Sequence, residues 1–180
     1  ENKNTELLEK FQNFDAEIAV IGCLLWDNRT YDKIADFLTE DHFTNLNNKE
    51  IYSTIRKLLD KNTLVTPITL KNYLNVNEEF DNFTYLNNIK DSAPSTQNAY
   101  QYAKLLYDLH IKRSLIGIGQ NIVQETMTNE NEAEGVELIE SAENDLYNLS
   151  QTGNADRKHA MFGDALKTAI DIIDQSFKRD

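Results

Sequence analysis

At 180 residues, with 30 Asp and Glu against 18 Lys and Arg and a formal charge of −12, the chain can bury one hydrophobic core and carry an appendage. Nucleic-acid affinity rests on cations that neutralise phosphates, and no Lys or Arg occurs between Ser114 and Asp156, so tight direct DNA binding is excluded as a leading reading. The single cysteine, Cys23, offers no disulfide framework and no basic-then-apolar leader is present, so a cytoplasmic setting is expected.

Gly and Pro are scarce and apolar residues recur at spacings of three and four, which predicts an all-α chain. The first element lies in FDAEIAVIGCLLWDN, residues 14–28, where an acidic start precedes an apolar run of about eleven residues, too short for the roughly twenty that a membrane span needs. Asp15 is the expected cap, and Ile18, Ile21, Cys23, Leu25 and Trp26 cover more than one face, the mark of a helix central to its core. A second helix is expected from near Thr30, carrying Tyr31, Ile34, Ala35 and Leu38. Asn47 with Glu50 suggests a capping box for a third, with Ile51, Ile55, Leu58 and Leu59 as its stripe. Thr66 followed by Pro67 is a strong start signal for a short helix holding Leu70, Tyr73 and Leu74. Phe83, Leu86 and Ile89 mark one more before Ala93 and Pro94, which close a helical globular head over residues 1–94.

Ser95 then begins a long helix through Tyr102, Leu105, Leu106, Leu109, Leu115, Ile116, Ile122 and Val123, reaching about Met127. Its apolar residues occupy more than one face, so it needs cover on two sides. TNENEAEG gives a polar turn, and Ile139, Ala142, Leu146 and Leu149 follow as a coiled-coil-like seam. Residues 95–150 therefore read as an antiparallel helical hairpin. Gly117 and Gly119 sit inside its first arm at about 1 kcal/mol each relative to Ala, either to permit a close approach or as tolerated weak spots. A linker over residues 151–161 leads to an amphipathic helix over 162–180, with Leu166, Ile170, Ile173 and Phe177 on one stripe. That stripe needs a partner or must fold back on its own domain.

Catalytic signals are missing. No glycine is followed by lysine, so no P-loop is present. His42, His110 and His159 lack ligand-spaced companions, and Cys23 lies in an apolar helix, so no metal site, cofactor site or nucleophile is assigned. The residues alone point to a helical interaction module that self-associates through its hairpin. A DNA-binding regulator using Lys112 and Arg113, and an enzyme built from scattered carboxylates, are the rival readings.

The same segments resemble a family. Asp15, Ala16, Glu17, Val20, Gly22, Leu24, Leu25, Asp27 and Asn28 occupy the positions of the opening motif in the N-terminal domain of DnaB-type replicative DNA helicases. YDKIADFLTEDHF, TPITL and APSTQNAYQYAKLLYDLHIKRSLI are similar to its later motifs in the same order, over about residues 14–150. Asn48 stands where the family has a histidine, and Asp81 and Asn82 stand where it has paired glycines. The RecA-like motor domain is absent, so the resemblance implies a fragment, with ATP and Mg belonging to the full-length parent. It further implies an N-terminal collar that pairs through the hairpin, three pairs crowning the hexameric ring. The implied partners are a second copy, primase, in some bacteria a helicase loader, the motor domain of a neighbouring subunit, and DNA only through the parent hexamer. Periodicity and resemblance together assign Leu105, Leu109, Ile116, Ile139, Leu146 and Leu149 to the hairpin core or dimer contact, and Leu166, Ile170, Ile173 and Phe177 to docking.

Overall fold

An apolar run too short for a bilayer must be covered by other elements of its own domain, and the rest of the chain is arranged to do this. The computed structural model describes residues 9–74, 81–128 and 134–151, and among them every regular element is helical. The first helix, α1 (Phe14–Trp26), is buried along nearly its whole length, with Ala16, Ala19, Val20, Ile21, Cys23, Leu24 and Leu25 in the core. Its cap is Asn13, whose Oδ1 accepts from the Ala16 amide at 2.9 Å, and not Asp15. With the helix starting at Phe14, Asp15 lies inside the first turn, where its charge faces the positive end of the helix dipole.

The expected helix near Thr30 is instead a 3-10 helix, Asn28–Lys33, capped by Asp27. The Asn28 side chain gives the reason. Its amide donates to Leu24 O at 2.7 Å and Val65 O at 2.9 Å, while its Oδ1 accepts from Val65 N at 2.9 Å. These bonds pin the chain where α1 ends and turn it away from a straight continuation. Ile34 and Leu38 reach the core all the same.

A short 3-10 turn, Glu40–His42, precedes α2 (Leu46–Leu59). The α2 cap is Asn45, whose Oδ1 accepts from the Asn47 and Asn48 amides, two residues ahead of the expected Asn47 start. From α2, Ile51, Tyr52, Ile55 and Leu58 enter the core, and the Tyr52 hydroxyl donates to Leu38 O at 3.0 Å. Thr66 and Pro67 open α3 (Pro67–Leu70) as the sequence predicts, in a reciprocal box with Thr69. Asp81 caps α4 (Asn82–Asp91), accepting from the Phe83 and Thr84 amides and the Thr84 hydroxyl.

Gly22 sets how closely α1 and α4 approach. A Cβ there would stand 2.7 Å from Ile89 O and 3.0 Å from the Ala93 Cβ, so only glycine fits without a backbone shift. The next residue, Cys23, is fully buried with Sγ 3.6 Å from Pro94 O, and burial pushes its thiol up.

Ser95 caps a 3-10 turn, Thr96–Asn98, that runs directly into α5 (Ala99–Thr128), the longest element, followed by α6 (Gly135–Gln151). The two ends of α5 have different surroundings. Ala99, Ala103, Leu106 and Leu109 are buried against α1 and its neighbours, whereas the C-terminal part packs on α6.

Candidate assembly surface

Two polar clusters, one buried and one half-buried, fix where α5 leaves the head. Glu17, one turn into α1, is completely buried and acts only as an acceptor. Its carboxylate takes the Thr44 amide at 2.6 Å, the Thr44 hydroxyl at 2.7 Å, the Asn45 amide at 3.3 Å and Asn48 Nδ2 at 3.0 Å. The Tyr85 hydroxyl donates to Asn48 Oδ1 at 2.9 Å, which ties α4 into the same network. Asn48 thus serves as a buried bridge between Glu17 and Tyr85.

Arg113, on α5, supplies the second cluster. Its guanidinium donates to Phe11 O at 2.5 Å and to His42 O at 3.1 Å, joining the segment before α1 and the turn before α2 to the long helix. Desolvation lowers its pKa, and the negative charge of Glu17 opposes that shift. Beside it, the His42 and His110 rings lie 4.6 Å apart, with Tyr107 5.4 Å from His42 and Phe37 packed edge-on to Tyr107 and Tyr100. The Thr39 amide donates to His42 Nδ1 at 2.8 Å, so that nitrogen is an acceptor in the neutral ring. Burial pulls the His42 pKa down to about 4, and His110 is lowered for the same reason. Of the basic pair considered for nucleic acid, Arg113 is therefore committed to the head, and Lys112 alone of the two is exposed.

Beyond Arg113 the character of α5 changes. Its apolar residues split into two groups: Ile116 and Val123, seven apart, on one face, and Leu115, Ile118 and Ile122, at spacings of three and four, on another. The one described helix against this stretch is α6, and no residue of α6 is buried. Val123 is 59% exposed, Met127 71%, Ile139 59% and Leu146 45%. Leu115, Val136 and Tyr147 are exposed as well. An open groove runs along this part of α5, lined by Ile116, Gly119, Val123 and Met127 among others. The described α6 carries Glu137, Glu140, Glu143 and Asp145 and no cation.

The six hairpin residues named from sequence fall in three situations. Leu109 is buried in the head core, Ile116 and Leu149 are half-buried, and Leu105, Ile139 and Leu146 are exposed. Leu166, Ile170, Ile173 and Phe177 lie outside the described residues. Sequence reasoning missed Glu17 and Arg113 as structural keystones. For Glu17 the available signal was a charge at a position otherwise flanked by apolar residues on every side of a core helix. Among the described residues, no cluster of three or more metal-ligating side chains occurs, and no helix is long and apolar enough to cross a membrane.

Residues 9–108 match the profile of the DnaB-like helicase N terminal domain. Over 171 residues, 93% of this chain, the sequence is 31% identical to the replicative DNA helicase DnaB of Rickettsia conorii (strain ATCC VR-613 / Malish 7), covering 35% of that protein. It is 29% identical over the same length to the replicative DNA helicase DnaC of Bacillus subtilis (strain 168), covering 37%. The chain thus spans about a third of the length of the curated relatives it matches, 35% and 37% in these two cases. Among solved structures, the crystal structure of the N-terminal domain of DnaB helicase from Mycobacterium tuberculosis shares the fold with a TM-score of 0.69 at 21% identity, over 76% of this chain and 97% of that one. A DnaB-like replicative helicase described together with its interactions with primase is similar with a TM-score of 0.61 at 25% identity, over 76% of this chain and 31% of that one.

Proposed function

The chain belongs to the DnaB-like helicase N-terminal domain family, and from that premise we propose that it acts as the collar and assembly domain of a replicative DNA helicase. The observation that carries this reading is the apolar hairpin surface: the distal part of α5 has two apolar faces, and α6 has no buried residue with which to close both. A second copy that brings its own hairpin against the open face would remove Val123, Met127, Ile139 and Leu146 from water, at about 25 cal/mol per Å² of apolar area covered. Leu105, Ile116, Ile139, Leu146 and Leu149 hold that hairpin together or form the contact between copies, whereas Leu109, assigned with them from the sequence, is taken up by the head. Three such pairs would build the collar of a hexamer.

The head then serves as a rigid base. Glu17, Asn48 and Arg113 hold α1, α2 and α5 at fixed angles, so that pairing two hairpins also sets the relation between two heads. Leu166, Ile170, Ile173 and Phe177 form the stripe that docks on the motor domain of a neighbouring subunit. In the longer parent that motor carries ATP and Mg, contacts DNA and unwinds it in the bacterial cytoplasm. Primase is the proposed external partner of the collar. Support comes from the similar helicase that is described with its interactions with primase. A loader is a second proposed partner.

Sedimentation equilibrium of the 180-residue chain over a concentration series tests the pairing, with Leu146→Asp as the comparison. A dimer or larger assembly that the substitution dissolves is the expected result, because a carboxylate at a half-exposed apolar position is tolerated in the free chain but not between two hairpins. A strict monomer at high concentration would refute hairpin pairing by this chain alone. In a chain carrying its motor, Ile173→Asp should impair hexamer formation and unwinding, and unchanged unwinding would refute the docking stripe.

A further inference from the structure

The geometry points to a hinge in α5 at Gly117–Gly119, which lets the distal hairpin tilt against the head without unfolding either. The inference rests on the proposed pairing role, since Val123, Met127 and Ile139 of the pairing surface lie beyond this point.

Four observations meet there. The helix is continuous from Ala99 to Thr128, so any tilt of the hairpin must be absorbed within it or at its root. Its root is held: Ala103, Leu106 and Leu109 are buried, and Arg113 bonds to Phe11 O and His42 O. Immediately past that last anchor, Gly117 and Gly119 occupy the helix, and a Cβ built on either meets nothing within 4 Å. Gly22 shows the contrast, because there the missing side chain is needed for the approach of α4. At Gly117 and Gly119 no such packing reason exists within the described head and hairpin, although each weakens the helix relative to alanine.

Two weak positions spaced by one residue, between a segment anchored on the head and one that packs on α6, concentrate bending at a single level of the helix. Beyond it, α5 continues to Thr128. At about 1.5 Å per residue that is a lever of about 15 Å, so a bend of about 20° carries the tip by about 5 Å. Movement of that size changes which apolar residues two hairpins present to each other, while the Glu17 and Arg113 clusters keep the heads intact.

Nitroxide labels on Lys57→Cys in α2 and Glu137→Cys in α6, both exposed, report the head-to-hairpin distance by double electron–electron resonance. Cys23 is fully buried and stays unlabelled. Labelled chains are diluted into unlabelled ones, so that distances between copies do not contribute. The wild-type distribution should be broad, and Gly117→Ala with Gly119→Ala should narrow its width by at least half. Amide exchange over residues 116–120 should slow about fivefold per alanine. Equal widths in both chains would overturn the hinge, whatever the state of association. So would loss of association in the alanine variant with unchanged width, which would assign the glycines to close approach of a second copy. Sedimentation of both variants keeps the outcomes separate: a monomer with a broad distribution that alanine narrows retains the hinge and refutes the pairing.

Discussion

Replacing Glu17 by alanine removes a group that collects the start of α2 onto α1. The carboxylate accepts four hydrogen bonds, from the Thr44 amide and hydroxyl, the Asn45 amide and Asn48 Nδ2, and it has no exposed surface. Hydrogen bonds to a charged group contribute about 1.5–3 kcal/mol each and are not additive, and donors left buried without an acceptor add about 1–3 kcal/mol each. Water entering the space left by the side chain recovers part of this, so the net loss for Glu17→Ala should be about 3–5 kcal/mol. That is a large share of a domain's stability, and at about 2–4 °C per kcal/mol for a chain of this size it lowers Tm by about 10 °C. Glu17→Gln keeps the volume but offers a single carbonyl oxygen and turns an NH₂ toward donors, so it should cost about half as much. Urea unfolding followed by far-ultraviolet circular dichroism, at one fixed protein concentration, measures both. Hydrogen exchange should show lost protection at Thr44 and Asn45. A loss below about 1 kcal/mol for alanine, or a glutamine variant as stable as wild type, would refute the claim that the carboxylate organises this corner.

Gly22→Ala should destabilise the head by about 1–3 kcal/mol despite its better helix propensity, because its Cβ would press on Ile89 O at 2.7 Å; a rise in Tm would show that α4 has room to move. His42 is held neutral by burial among His110, Tyr107, Thr39, Arg113 and Asp41, with its pKa pulled to about 4. Its folded pKa is below the unfolded value near 6.5, so its contribution is fully present above about pH 6.5 and is lost as pH falls toward 4. Between pH 7 and 5 the loss should reach about 2 kcal/mol, and His42→Gln should flatten that part of the stability profile; parallel profiles would refute it. Arg113→Lys should cost about 1–2 kcal/mol, since an ammonium does not reproduce the guanidinium fork that reaches two carbonyls, whereas Lys112→Ala should stay within about 0.5 kcal/mol in the same unfolding assay.

Much of the fold was legible because strong local signals agreed with tertiary demand. The apolar run from Ala19 to Leu25 could only be a core helix, and Thr66–Pro67 could start a helix in one way only. Caps were read less well where two side chains of similar chemistry compete. Asn13 and Asp15, like Asn45 and Asn47, are equivalent by local propensity, and the winner is decided by where the chain enters from the previous element. The 3-10 helix after α1 depends on Asn28 meeting Val65, a partner 37 residues away. Glu17 in the first turns of a helix has an ordinary surface reading as a partner of the helix dipole. Only the approach of Thr44, Asn45 and Asn48 makes it a buried hub. His42 and His110 are likewise distant in sequence and adjacent in space. Long-range pairings of this kind leave no periodic trace.

The hairpin follows from the way one helix meets two demands. Along its first turns α5 must present small and apolar residues to α1, and Ala99, Ala103, Leu106 and Leu109 do so. After Arg113 that demand ends, yet the helix stays apolar on two faces, which a free-standing solvent helix would avoid. The second helix of the hairpin covers one of those faces at most, and its own Val136, Ile139 and Leu146 remain in water. A sequence under selection only for a stable head would have replaced them with charges, as it did elsewhere on α6 with Glu137, Glu140 and Glu143. Because those charges all have one sign, two copies brought together also repel, and pairing should tighten as salt screens the carboxylates. Pairing weakened by salt between 50 and 500 mM, in the sedimentation series described above, would mean that the contact is held by ion pairs rather than by the apolar faces.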